Sequence, residues 1–202
     1  MTHHARALFA TRLYEAALNS PKLLVELAHC ARTLAREDRA GQDWSTANGY
    51  LGYTSYASLN DLPRRDPVIG DLVKLLDRHV AAFAEECAFE LGSARLKLDS
   101  LWVNVMQPGA IHTGHIHPHS VVSGTLYVAV PPGAGALKFE DPRLAMMMAA
   151  PPRRADAAEE LRQFIYVNPQ PGTVLLWESW LRHEVMPHCG TGERISISFN
   201  YR

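Results

Sequence analysis

The sequence predicts an α+β chain, with helices in the first half and an antiparallel jelly-roll barrel in the second. Three observations carry this reading. Apolar residues recur at three- and four-residue steps before about residue 98, the period becomes two beyond it, and Gly/Pro turns separate the short period-two runs. At 202 residues the chain can bury a core without disulfides or structural metal, so one domain, 1–202, is expected. Within it, 1–98 reads as a mainly helical support region and 99–202 as the barrel.

From His4 to about Arg39, Leu8, Phe9, Leu13, Ala16, Ala17, Leu24, Leu27, Ala28 and Leu34 fit an amphipathic helix, with a break and a new helix start at Pro21. Gly41 to Leu62 is rich in Gly, Ser, Thr, Asn and Tyr and holds neither period, which predicts a loop. Val68 to Phe89 resumes helical spacing through Leu72, Leu75, Leu76, Val80 and Phe83, with Gly92 as the expected C-terminal cap. Strands are expected over Leu101–Met106, Val122–Val130, Leu137–Phe139, Ile165–Val167 and Val174–Trp177. In the last run, Ile195, Ile197, Phe199 and Tyr201 share one face, and Arg194, Ser196, Ser198 and Asn200 the other. Residues 144–160, with three consecutive methionines, Pro151-Pro152 and Arg153-Arg154, read as an insertion between strands.

Twenty Lys and Arg against 21 Asp and Glu leave a net charge of -1, so no global field argues for nucleic acid or an anionic membrane. Cys30, Cys87 and Cys189 are odd in number and far apart, which fits a reducing compartment. With no apolar signal core at the N-terminus, a cytoplasmic location is expected.

Four of the ten histidines, His112, His115, His117 and His119, fall within eight positions. His115 and His117 stand at i and i+2, which in an extended segment puts both imidazoles on one face and within reach of one transition metal. His112 and His119 read as solvated loop residues. A third ligand must come from a distant strand, and His183, just before the last hairpin, is the candidate. The Pro187–Gly192 connection pairs the His183 and Arg194 strands, so Arg194 is placed to hold an anionic group beside the metal. A solvent-facing Arg194 has the same alternation, as a pocket wall and a wet surface share it.

Taken together, Asn104, His115-Ile-His-Pro-His-Ser120, Ser123-Gly-Thr-Leu-Tyr127, Phe139-Glu-Asp-Pro-Arg143, Pro171-Gly172, Trp180-Leu-Arg-His183 and Arg194-Ile-Ser-Ile-Ser-Phe-Asn200 resemble the 2-oxoglutarate/iron(II) oxygenases of bacteria and phages. The resemblance covers the last hundred residues in detail, and the Trp44, Gly52 and Tyr53–Leu59 segment more loosely. It implies a cupin-like double-stranded β-helix with helices packed on it, iron(II) at His115, His117 and His183, and 2-oxoglutarate as co-substrate. Arg194 and Ser196 are then implied to hold the keto acid's distal carboxylate, with Asn104 and Tyr127 as further contacts. The wider superfamily carries Asp or Glu where this chain has His117. Glu140 or Asp141 is the alternative third ligand, weighted below His117 because both read first as a strand-end turn.

Arg143 and Met146–Arg154 fit substrate-side elements, as long insertions between barrel strands commonly act as lids, and they fit an ordinary variable loop equally well. The substrate is expected to be a small molecule or a side chain, with no nucleic acid or membrane partner, and a homodimer is compatible with the reading. Two rivals stand beside it: a three-histidine cupin-type iron dioxygenase without 2-oxoglutarate, and a non-catalytic metal-binding jelly roll.

Overall fold

The computed structural model describes residues 2–202. In chain order it contains β1 (Leu13–Ala17), α1 (Pro21–Glu37), α2 (Arg39–Ala47), β2 (Gly52–Thr54), α3 (Leu62–Arg65), α4 (Pro67–Glu86), β3 (Leu98–Met106), β4 (His112–His115), β5 (Val122–Ala129), β6 (Leu137–Glu140), β7 (Phe164–Val167), β8 (Thr173–Glu178), β9 (His183–Val185) and β10 (Arg194–Tyr201). The strands form two antiparallel sheets, a six-stranded one in the order β1-β8-β5-β10-β3-β2 and a four-stranded one in the order β4-β9-β6-β7. No helix is long and apolar enough to cross a membrane.

Strand alternation sorts the core into two layers. Ile195, Ile197, Phe199 and Tyr201 of β10 join Leu101, Val103 and Val105 of β3 in one cluster with Leu27 and Ala31 of α1 and Leu72, Leu76, Val80 and Phe83 of α4. The opposite face of the large sheet meets the small sheet in a second cluster, which includes Met106, Tyr127, Phe139, Trp177 and Val185. This second layer is where polar side chains are enclosed: Asn104, Ser123, Arg194, Ser196 and Asn200 are all buried. The polar face of β10 is therefore an interior wall and not a wet surface.

The first half of the chain departs from expectation in three places. Residues 13–17 form an edge strand on β8 and not a helix, with Leu13 opposite Trp177. Five residues are too few for spacing to separate the two periods, and ladder hydrogen bonds to β8 decide. Leu13 turns toward the inter-sheet layer, while Tyr14 turns toward α4.

The segment read as loop holds helix α2 and strand β2. Asp38 starts α2 by accepting from the Gly41 amide, and it also accepts from the hydroxyls of Tyr53 and Ser58, tying the segment to itself. Gly52 lies at φ +129°, where an added Cβ would sit 2.1 Å from the Val105 carbonyl oxygen, so only glycine lets β2 close on β3.

Helix α4 stops at Glu86, before Gly92. The Phe89 amide donates to the Ala84 carbonyl and the Ala88 amide to that of Glu85, a Schellman closure with Ala88 at φ +52°. An alanine occupies the left-handed position that glycine usually fills.

Candidate active site

His115 ends β4, His117 follows it, and His183 begins β9, the strand that pairs with β4 so that His115 stands opposite His183. One ring nitrogen from each of the three lies within 4.8 Å of the others, and this is the one cluster of potential metal ligands among the described residues. His115 Nδ1 donates to the Thr113 carbonyl at 2.6 Å, and His183 Nδ1 to the Leu181 carbonyl at 2.9 Å. In both, a carbonyl two residues earlier fixes the tautomer and leaves Nε2 with its lone pair. The Nε2 atoms of His117 and His183 face each other at 3.2 Å. Two ligands held about 2.1 Å from a first-row ion at right angles stand about 3.0 Å apart, so the spacing fits neighbouring positions on one ion.

Burial pushes the His183 imidazole down to about 3 and the His117 imidazole down to about 4. Both rings are thus neutral near pH 7, the form that ligates metal. Trp102 stacks on the His117 ring at 5.8 Å, and Trp177 meets the His183 ring edge to face at 4.7 Å. Behind His117 a chain of hydroxyls holds Asn200: Ser123 Oγ donates to Asn200 Oδ1 at 2.8 Å, and Asn200 Nδ2 donates to Ser100 Oγ at 3.1 Å.

The acids weighed against His117 are committed elsewhere. Glu140 turns to Arg182 at 3.6 Å, and Asp141 takes two hydrogen bonds from the Arg143 guanidinium, at 2.8 and 2.9 Å, and one from its backbone amide. Phe139, one residue earlier, is the side chain that points inward toward His183. Strand alternation therefore turns Glu140 away from the histidines.

From the histidines a row of polar side chains runs along the large sheet. Ser198 lies between Trp102 and Thr125, Ser196 between Asn104 and Tyr127, and Arg194 opposite Met106. Ser198 and Arg194 are four positions apart, roughly 13 Å along a strand. Arg194 is 2 % exposed, and its nearest partners are neutral: Ser196 Oγ at 3.4 Å, Met106 Sδ at 3.2 Å and the face of Tyr127 at 5.1 Å. Among the described residues no carboxylate pairs with it, and Arg194 Nε and the Tyr127 hydroxyl are buried without partners. Burial lowers the Arg194 pKa, yet a guanidinium stays charged. A buried cation ringed by unpaired donors calls for an anion.

His112 is not a solvated loop residue. It shares a 3.0 Å hydrogen bond with the Tyr50 hydroxyl, and burial, helped by Arg194, pushes its pKa down to about 3. Counting by two puts His112 and His115 on opposite faces, but the β4–β9 register slips between them. That bulge brings both inward. His119 is exposed, at φ +73°.

A cleft of about 740 Å³ opens over His115 and His117. Its walls come from β3, the segment 109–118 and the Trp44–Tyr56 stretch of the first half, where the sequence predicts a loop. Residues 143–160 do not line it. Arg143 is held by Asp141.

The two facing sheets make a double-stranded β-helix, with a histidine cluster and a buried arginine enclosed between them. The structure is similar to a Pseudomonas putida prolyl-4-hydroxylase at 17% identity, covering 95% of this chain and 92% of that one, with a TM-score of 0.61. It is also similar to the α-ketoglutarate-dependent epimerase SnoN from nogalamycin biosynthesis at 14% identity, covering 95% and 76%, with a TM-score of 0.63. A third is the viral collagen prolyl hydroxylase from Paramecium Bursaria Chlorella virus-1, at 12% identity, covering 94% of both chains, with a TM-score of 0.56. No curated protein matches the sequence. A family model described as "Putative 2OG-Fe(II) oxygenase" matches residues 100–200, and the chain belongs to that family. It is therefore an oxidoreductase dependent on iron(II) and 2-oxoglutarate, the first of the three readings drawn from the sequence.

Proposed function

We propose that His115, His117 and His183 hold the iron and that Arg194 anchors 2-oxoglutarate, the enzyme oxidising a C–H bond of a small molecule or side chain in the cleft. The observation that carries the assignment is the buried, carboxylate-free guanidinium of Arg194, lying along the inner face of the large sheet from the cluster of His115, His117 and His183. Arg194 pairs the distal carboxylate in a charge-assisted contact, and the Tyr127 and Ser196 hydroxyls supply further hydrogen bonds. Asn104, flanking Ser196 on the cleft side, orients the keto acid toward the histidines. Iron(II) bound there supplies dioxygen activation coupled to decarboxylation of the keto acid to succinate and CO2. Thr113 and Leu181 keep the ligand rings in the tautomer that binds metal, while Trp102 and Trp177 hold them in place and exclude water. Three neutral ligands leave the ion's charge less compensated than a set with one carboxylate, which strengthens its hold on an anionic co-substrate.

An anaerobic titration tests this: iron(II) first, then 2-oxoglutarate, followed by visible absorption. A charge-transfer band that grows with the keto acid in wild type and is lost in His183→Ala is expected. Iron binding without any response to 2-oxoglutarate would overturn the assignment of Arg194.

A further inference from the structure

We infer that the cleft takes a neutral, ring-bearing group with an apolar face, seated on a ladder of aromatic side chains that leads from the surface to His117. The inference rests on the reading of the histidines as the reaction centre. The ladder has four members: Trp44 meets Tyr56 at 6.3 Å, Tyr56 meets Trp102 at 5.3 Å, and Trp102 stacks on His117 at 5.8 Å. The first two contacts are edge to face, and Tyr56 remains largely exposed at the cleft.

Three further observations point to the same occupant. No Asp, Glu, Lys or Arg lines the cleft, although these make up 20% of the chain. Its lip is apolar: Leu51 is 53% exposed, Tyr56 62%, Ile111 46% and Ile116 44%, all of them lining residues. Its polar groups are largely engaged within the protein, since Asn48 Nδ2 donates to the Trp44 carbonyl, Asn104 Nδ2 to Ser198, and Tyr50 bonds to His112. A charged group entering this cleft loses water and finds no counter-charge, whereas a ring with C–H or π faces gains contact with each rung. The polar part of such a substrate is left at the open mouth.

Three probes of one shape test the inference: cyclohexanecarboxamide, cyclohexanecarboxylate and cyclohexylmethylammonium. Binding is read by saturation-transfer NMR on ring protons and by tryptophan fluorescence. The iron(II)-loaded protein is first saturated anaerobically with 2-oxoglutarate, so that the carboxylate probe cannot occupy the Arg194 site. The carboxamide should bind saturably, both charged probes at least tenfold more weakly, and Tyr56→Ala should weaken the carboxamide at least fivefold while Tyr56→Phe preserves it. A charged probe binding as well as the carboxamide, no saturable carboxamide binding, or an unaffected Tyr56→Ala variant would each overturn the inference. The carboxamide and ammonium arms are repeated on metal-free protein. Failure to bind 2-oxoglutarate strikes the functional assignment, and the ring arms still report on the cleft.

Discussion

His117 Nε2, just beyond the end of β4, faces His183 Nε2 on β9 at 3.2 Å, and burial keeps both rings neutral near pH 7. Two lone pairs at that distance repel unless a cation or proton lies between them. His117→Ala should therefore weaken iron(II) by more than about a hundredfold, beyond the 10–100-fold typical when only a ligand's supporting partner is lost. His117→Asp supplies a carboxylate in its place and should bind iron(II) at least as tightly as wild type between pH 7.5 and 5.5, since the wild-type ring, at about 4, is already neutral throughout that range. Isothermal titration of iron(II) across it compares the three proteins. Unchanged affinity in His117→Ala would remove His117 from the site.

Arg194 sets binding against stability. Arg194→Met should lose 2-oxoglutarate affinity by more than a hundredfold, in line with the several kcal/mol that a buried charge-assisted contact contributes. The same change should raise the melting temperature of the ligand-free protein, since replacing a buried charge by a packed apolar side chain stabilises by about 1–4 kcal/mol in comparable cases. Thermal unfolding with and without the keto acid measures both. A variant destabilised in the ligand-free state would mean that Arg194 already has its counter-charge within the fold.

Stability should fall as pH drops below about 6.5. His112 and His183 sit near 3 in the folded state because burial disfavours their charged forms, against an unfolded value of about 6.5. Between those values the unfolded chain binds protons that the folded one refuses, so the contribution is complete above 6.5 and declines toward 3. Each histidine adds at most about 1.4 kcal/mol per pH unit. Melting temperatures of metal-free protein at pH 7.5, 6.0 and 5.0 check this, and His112→Gln should flatten the slope. A profile level through that window would argue that both rings are hydrated.

Ala88 closes helix α4 at φ +52°. Ala88→Gly removes the Cβ penalty of that conformation and should stabilise the protein by about 0.5–1 kcal/mol, with function unchanged. Urea denaturation measures the gain. A loss of stability would mean that the alanine methyl packs usefully despite its backbone.

The second half of the chain was legible because its side chains alternate over long runs, and the two faces of β10 and the shared side of His115 and His117 follow from period two. The hairpin expected between the His183 and Arg194 strands does not form, since β9 and β10 lie in different sheets and His183 reaches the other histidines by pairing with β4. The first half was not. β1 and β2 are short edge strands whose partners, β8 and β3, lie over a hundred and about fifty residues away, and no local pattern encodes such a pairing. His112 was misread for a related reason, since one slipped residue between it and His115 reverses the face that counting assigns. Trp102 was open to inference, as it alternates with Asn104 on the same strand face. Tyr50 and Tyr56 were not, because they stand in a segment without periodicity.

The six-stranded sheet begins and ends with strands from the first half of the chain, β1 at one edge and β2 at the other. A fragment starting at residue 99 would expose the backbones of β8 and β3 as open edges, a template for self-association. The reaction centre is thus not a portable module, although the histidines and Arg194 all lie within it. What is exchangeable is the stretch from Trp44 to Tyr56, which walls the cleft but contributes no ligand. On the proposed assignment of the site, change in the cleft wall and retention of the histidines fall to separate stretches of chain, provided each variant of the early segment keeps its strand on β3.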